Sequence, residues 1–393
     1  MKASIYALFV LMFFLLGACQ STQHQATTST DIVTNLYLDE LFPNNENIVI
    51  ESEQEIFALD DEMREMVITK LRSEKDTKER ALKLIKHIFE TENIGVAYAS
   101  NANVTAREAY HSKSANCMSL TIMAYALAKE ANFDIQFQNV KIPEYWVRNG
   151  TYNMLTGHVN LKITQSKSPN ELILWSKALE IDFDPFVAKK SFPKQVINKK
   201  TVLAMFYNNK GAQALIKKQY DIAYKYLKTA THTDPHYDAA WGNLGILYRF
   251  LGRDDYAKKS YQHAMALDKS NLTAMTNLSF LLKREGNVKE ANRLEKLLHE
   301  KRIANPYYHA LLADEAFYNG ENKEAIKHYR KAIKLNNKIH EFYFGIAKAY
   351  YKLDDIKAAK RALLKAIAIN RVPFTDSQYV AKLNFLKNEE VTH

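Results

Sequence analysis

Apolar residues recur along this chain with two periods, and the change from one to the other marks out its first region. From residue 53 to 91 the spacing is helical: "EIFALDDEMREMVITKL" is followed by "TKERALKLIKHIFE", where Leu82, Ile85, Ile88 and Phe89 fall on one face. "IGVAY" then reads as a short extended piece and "TAREAYHSK" as a short helix. From Cys117, the stretch "CMSLTIMAYALAKE" predicts a helix that buries Leu120, Met123, Ala124 and Leu127, with Ala115 and Asn116 at its threshold. Beyond it the period drops to two. "DIQFQNVKI" turns Ile135, Phe137 and Val140 inward, "GHVNLKI" turns Val159, Leu161 and Ile163, and "ALEIDF" turns Leu179, Ile181 and Phe183. The intervening "EYWVRNGTYNMLT" and "TQSKSPNEL" read as loops. Helices followed by three strands of antiparallel character predict an α+β domain over residues 31–200.

From about residue 204 the helical period returns, overlaid with a longer one of 34 residues. In "WGNLGILYRFLGRDDYAKKSYQHAMALD" the residues Trp241, Leu244, Gly245, Tyr248, Ala257, Tyr261 and Ala264 mark one unit. Shifts of 34 recover the others: Tyr207, Gly211, Ala223, Leu227, Ala230 and Pro235 upstream; Leu278 and Ala291 downstream, with Glu295 where an aromatic is usual; then Leu312, Ala325, Tyr329 and Ala332; then Tyr343, Ile346, Tyr350, Ala359, Leu363 and Ala366. This pattern resembles the tetratricopeptide repeat, and predicts five units over residues 204–373, an all-α solenoid in which small residues let paired helices approach. Residues 374–393 then supply a capping helix, "DSQYVAKLNFLKN", and a tail. The resemblance implies a concave groove lined by the first helix of each unit, here with Arg249, Phe280, Lys283, Phe317, Phe344, Lys348 and Tyr351. Aromatic and basic side chains suit an extended peptide or an acidic polymer, and the same residues also serve as ordinary packing and solvated surface.

The N-terminus carries an address. After Lys2, "IYALFVLMFFLLGA" is too short to span a membrane comfortably and has the length of an export-signal core. Its end, Leu16-Gly17-Ala18-Cys19, resembles the bacterial lipobox. That resemblance implies removal of residues 1–18 and lipidation of Cys19; an ordinary cleaved signal and an uncleaved anchor are the alternatives. Gln20 in place of Asp implies sorting to the outer membrane. Residues 19–30, with "QSTQHQATTST", read as a polar tether of roughly 20 Å. The body would face the periplasm, anchored to the membrane by its lipid.

Composition adds to this picture in two places. With 47% apolar and 25% charged residues, the chain is that of a well-cored protein. Its net charge of +10 is uneven: residues 204–393 hold 32 Lys and Arg against 20 Asp and Glu, a net of +12, whereas residues 1–203 hold 22 against 24. An exported protein of this charge meets anionic lipid head groups and peptidoglycan carboxylates in place of nucleic acid.

Candidate chemistry converges on Cys117. The chain has 2 cysteines, and lipidation of Cys19 leaves Cys117 without a disulfide partner. A lone thiol is often a small core hydrophobe, but this one opens a helix, where unpaired backbone N–H groups favour thiolate and can bind an oxyanion. His158 begins the second strand, and Asp182 or Asp184 lies on the third. No HExxH, paired CxxC or Gly-rich phosphate loop occurs, so metal, metal-cluster and nucleotide chemistry have no motif, and no cofactor is expected.

This order, with "NC-x-SL", a following Trp and "HVNL", resembles the transglutaminase-like fold, a relative of papain-like proteases, over roughly residues 75–190. The resemblance implies Cys117 as nucleophile, His158 as base and an aspartate as orienter. A separation of two aims Asp182 and Asp184 at one face and does not choose between them; the family pattern favours Asp182, with Asp184 in reserve. Asn116 would border the oxyanion site. Trp146 serves equally as cleft wall or as packing. Many relatives carry Gly where this chain has Ala115.

Two function classes follow. One is a cysteine-dependent acyl-transfer enzyme (a peptidase, amidase or cross-linker) whose repeats recruit a protein or peptide partner. The other is an inactive transglutaminase-like module that acts with the repeats as an envelope assembly scaffold.

Overall fold

The computed structural model describes residues 36–89, 97–99, 101–149, 152–164, 179–183, 192–370 and 379–384. The predicted leader, the lipobox with Cys19, and Asp184 lie outside the described residues. The described residues fall into two units, residues 36–41 and those from Phe42 onward. In the first, Asp39–Leu41 forms a single 3₁₀ turn.

The second unit opens with short capped helices. In α1 (Glu53–Ile56), Ser52 and Glu55 form a reciprocal capping box. Asp60 caps α2 (Asp61–Met66), which runs on into a π-helical turn at Val67–Leu71. In α3 (Thr77–Phe89) the buried face is Ala81, Leu84 and Ile88, while Leu82 is 41% exposed. Of the face expected on Leu82, Ile85, Ile88 and Phe89, Ile88 is buried and Ile85 is partly buried against the core, whereas Leu82 turns outward and Ala81 and Leu84 take the inner positions. β1 (Ala97–Tyr98) pairs in parallel with β2 (Ser114–Ala115), and α4 (Ala106–Ser112) connects them. α5 (Cys117–Glu130) is the central helix, with ten buried residues that include Leu120, Met123, Ala124 and Leu127.

Strands β3 (Asp134–Val140), β6 (Val159–Thr164), β7 (Leu179–Ile181) and β8 (Lys194–Ile197) form an antiparallel sheet in the order β7-β6-β3-β8. Phe137 pairs with Leu161 and Leu161 with Ile181, so the expected alternation meets in register against α5. Three strands of this region were not anticipated. β8 closes the sheet edge beyond β3, and "EYWVRNGTYNMLT" is no loop but a hairpin of β4 (Tyr145–Asn149) and β5 (Tyr152–Thr156).

Beyond β8 the described residues form helices joined by short turns. Five antiparallel pairs follow: α6 (Lys199–Ile216) with α7 (Tyr220–Thr233), α8 (Asp238–Phe250) with α9 (Asp254–Leu267), α10 (Leu272–Arg284) with α11 (Val288–Arg302), α12 (Pro306–Tyr318) with α13 (Asn322–Leu335), and α14 (His340–Lys352) with α15 (Ile356–Ile369). Residues 379–384 are helical in the expected cap. The turn inside each pair has a left-handed residue every 34 positions, namely Lys218, Gly252, Gly286, Gly320 and Asp354, with φ between 58° and 82°. Close helix approach needs a minimal side chain at Gly245, where a Cβ would fall 2.6 Å from the Tyr261 ring. In the third pair Ser279 and Glu295 replace this glycine and ring with a polar contact, and Lys283 binds the same carboxylate at 3.1 Å.

One core runs across residue 200. Val202, Leu203, Phe206 and Tyr207 of α6 belong to the same apolar cluster as α5 and the sheet strands.

Candidate functional site

Cys117 is the first residue of α5. Asn116 before it has extended backbone (φ −82°, ψ 174°) and accepts the Ser119 N–H on its side-chain oxygen at 2.9 Å. Its amide lies 3.5 Å from Asn103 Oδ1, and Asn103 in turn donates to the carbonyl of Phe206 at 3.1 Å. Ser119 accepts the Val104 N–H at 2.8 Å. The Thr121 hydroxyl sits between the carbonyls of Cys117 (2.7 Å) and Val159 (3.1 Å), joining the first turn of α5 to β6. The helix start is therefore fixed from the sheet, from the 103–104 segment and from the first repeat helix. With the Ser119 N–H taken by Asn116, the N–H groups of Cys117 and Met118 lack intrahelical acceptors at the positive end of the helix dipole.

The sheet brings His158 and Asp182 to this helix start. His158 is 3% exposed, with Nε2 2.8 Å from Asp182 Oδ1. Asp182 Oδ2 accepts the side-chain amide of Asn160 at 3.0 Å. With Nε2 engaged by the carboxylate, the other ring nitrogen is left for the thiol. Burial opposes a charge on the ring, but the hydrogen bond to Asp182 and its negative charge, with a further contribution from the neighbouring Cys117, outweigh it, raising the His158 pKa from 6.5 to about 9. The ring is accordingly a cation at neutral pH, held between an acid and a sulfur.

The sequence reading missed Asn160. It is fully buried, stands opposite Gln138 across β6 and β3, and its Oδ1 has no hydrogen bond among the described residues. The available signal was a polar side chain two places after the histidine, on a strand whose alternate residues are all apolar.

The other proposed residues are distributed more widely. Trp146 sits on β4 and faces the repeats, with the Arg302 guanidinium 5.3 Å from its ring and Tyr308 at 6.4 Å. In the repeats, Arg249 lies over Phe280 at 5.4 Å, and Arg284 flanks the same ring at 5.8 Å. Lys283 is paired with Glu295. Lys348 stands between Phe317 (5.1 Å) and Phe344 (5.5 Å), while Phe344 stacks on Tyr379 of the cap and Tyr351 joins the same terminal cluster. The groove residues thus form two cation–aromatic groups, one across the second and third pairs and one across the fourth and fifth. No cluster of three or more His, Cys, Asp or Glu suited to a metal ion occurs among the described residues.

Comparison with known proteins bears on the helical half. Residues 238–271 and 340–373 match the family described as tetratricopeptide repeat, and residues 313–354 match that described as TPR repeat. Over 139 residues the chain is 30% identical to the UDP-N-acetylglucosamine–peptide N-acetylglucosaminyltransferase of Giardia intestinalis (strain ATCC 50803 / WB clone C6), a match covering 33% of this chain and 9% of that protein. The chain therefore spans less than a tenth of the length of this relative. Among solved structures it is similar to Pseudomonas aeruginosa pilF, at 16% identity, with 48% of this chain and 91% of that one covered and a TM-score of 0.29. It is also similar to the APC/C hetero-tetramer Cut9–Hcn1, at 21% identity, 48% and 36% coverage and a TM-score of 0.28. The C-terminal region, then, carries tetratricopeptide repeats, the architecture of a protein-interaction scaffold.

Proposed function

We propose that this protein is an envelope lipoprotein in which a transglutaminase-like cysteine site performs acyl transfer on an amide, and the repeats dock the protein partner or substrate. The observation that carries the reading is the buried pair of His158 Nε2 and Asp182 Oδ1, 2.8 Å apart, in a setting where Cys117, the first residue of a buried helix, helps to raise the His158 pKa.

Each residue has a role in the chemistry. The Cys117 sulfur attacks the carbonyl carbon, and the oxygen takes the electron pair while the N–H groups of Cys117 and Met118 receive its charge. The C–N bond breaks as His158 gives its proton to the departing amine, which leaves a thioester on Cys117. Water or a second amine, deprotonated by His158, then attacks the thioester and releases an acid or a new amide with the thiol restored. Asp182 keeps the ring oriented and charged, and Asn160 keeps Asp182 oriented. The "LLGAC" motif supports anchoring through Cys19 to the outer membrane with the site facing the periplasm. Protein binding by the repeats supports delivery of the substrate.

Alkylation of Cys117 by iodoacetamide tests the site without a known substrate. At about pH 6.5 the thiol should react about tenfold or more faster than N-acetylcysteine, and His158→Ala should abolish the excess. A rate equal to that of the small thiol, unchanged in His158→Ala, would overturn catalysis in favour of a binding module acting with the repeats.

A further inference from the structure

Glu144 and Arg302 lie 158 residues apart and form a two-pronged ion pair, Arg302 Nε to Glu144 Oε2 at 2.6 Å and Nη2 to Oε1 at 2.8 Å. Their side chains are 15% and 10% exposed, more buried than the other Lys or Arg ion pairs among the described residues, of which Lys210 with Glu51 comes next at 21% and 23%. Supporting contacts surround the pair. Arg302 Nη1 donates to Thr276 of α10 at 3.0 Å, and Asn305 donates to the Glu144 carbonyl at 2.8 Å. Tyr145 meets the ring of Tyr307 edge-on at 4.9 Å, and Arg302 lies between Trp146 and Tyr308. The contacts of Glu144, Tyr145 and Trp146 tie the root of the β4–β5 hairpin to the junction of the third and fourth repeats, and those of Arg302 with Thr276 and Tyr308 hold the guanidinium in place within the repeats.

The same root leads to the site. Tyr145 pairs across the hairpin with Thr156, and only Gly157 separates Thr156 from His158. On its other side, His158 is fixed to β3 by the Val140 N–H, which donates to its carbonyl at 2.9 Å. The backbone that carries His158 is thus suspended between the sheet and a hairpin root clamped by the repeats. A shift of about 1 Å in a catalytic group costs on the order of a hundredfold in rate, so the hold on the hairpin bears directly on the alignment of His158 with Cys117.

We infer that Glu144 and Arg302 form a positioning latch, through which the third and fourth repeats set the alignment of His158 with Cys117. The repeat array is then part of the machinery of the site as well as a docking surface. This inference rests on the proposed pairing of Cys117 with His158, and its test separates the two.

The full-length chain is compared with Arg302→Ala, Glu144→Gln, the exchanged pair Glu144→Arg with Arg302→Glu, and His158→Ala, all read by the pH profile of Cys117 alkylation. Both single variants should lose about tenfold in rate at about pH 6.5, with the rising limb of the profile displaced to higher pH, and the exchanged pair should recover most of the loss. Glu144→Gln keeps the size of the side chain and an acceptor for Arg302, so the test stands if Arg302→Ala fails to fold. Wild-type profiles in both single variants alongside a displaced profile in His158→Ala would overturn the latch and leave the thiol–imidazole pair intact. Displaced single variants without recovery in the exchanged pair would reduce the effect to local misfolding, which also overturns it. A wild-type profile in His158→Ala would remove the pair itself, and the latch with it.

Discussion

At the scale of single residues, the site is governed by who keeps charge on a buried imidazole. Burial alone would hold His158 neutral, and the main counterweight is Asp182, itself buried and held by Asn160. Asp182→Asn should therefore drop the His158 pKa from about 9 to near or below 6.5, measured by NMR titration of the ring. The sign of the stability effect follows. A pKa raised on folding stabilises the folded state fully below the unfolded value of 6.5, and the contribution is lost as pH rises through about 9. With each pH unit worth about 1.4 kcal/mol, the contribution is on the order of 3 kcal/mol. Urea unfolding of wild type and His158→Gln at about pH 6 and pH 10 checks it: the gap between the two proteins should be wide at the lower pH and narrow at the higher. Asn160→Ala removes a hydrogen bond to Asp182 Oδ2 in a buried place and should cost about 1–3 kcal/mol by the same denaturation. Cys117 and His158 were legible in the sequence because a lone thiol and a strand-opening histidine are unusual residues in their places. Asn160 was not, because a partner to a partner has no spacing of its own; only the register of β6 against β7 sets it beside Asp182.

Among the elements, periodicity was a good guide wherever one face of a segment meets one neighbour. α5 and strands β3 and β6 bury the residues their periods select, and along β7 and just past it Ile181 and Phe183 are buried while Leu179 is partly so. α3 departs at Leu82, because Ala81, Leu82 and Leu84 are all apolar and the pattern alone does not rank them; contact with the core does. The β4–β5 hairpin escaped for a different reason. Its root contacts are supplied from residues 302–308, so nothing local marks its strands, although Asn149-Gly150 is a strong turn signal. The repeats offer a clean test of local backbone. A Cβ at Gly286 (φ 82°) would meet no atom within 4 Å, so Gly286→Ala probes the left-handed turn alone and should cost about 1 kcal/mol, read as a lowered Tm. Gly245→Ala adds a collision with Tyr261 to ordinary helical backbone and should cost about 1–3 kcal/mol.

On the scale of the whole molecule, the chemistry-bearing region and the repeats are not independent bodies joined by a string. Val202, Leu203 and Phe206 of the first repeat helix are buried in the cluster that holds α5, and the Phe206 carbonyl receives Asn103, which abuts the cap of Cys117. Tyr207 and Tyr226 further donate to the backbone and the carboxylate of Glu51, at 2.8 Å and 2.7 Å. A chain cut after residue 200 would forfeit those three apolar side chains, at about 1.5–3 kcal/mol each. That loss is comparable with the whole stability of an ordinary domain, about 5–15 kcal/mol. The expected outcome is that residues 42–200 alone bind an apolar dye and show no cooperative calorimetric transition, whereas a chain extended through the second helix pair, to residue 268, recovers one. A sharp transition in the shorter chain would mean that the shared core is a contact between two self-sufficient domains. Its absence would mean that the first repeat is a structural part of the site, and that a partner acting on the repeat array acts on the body that carries Cys117.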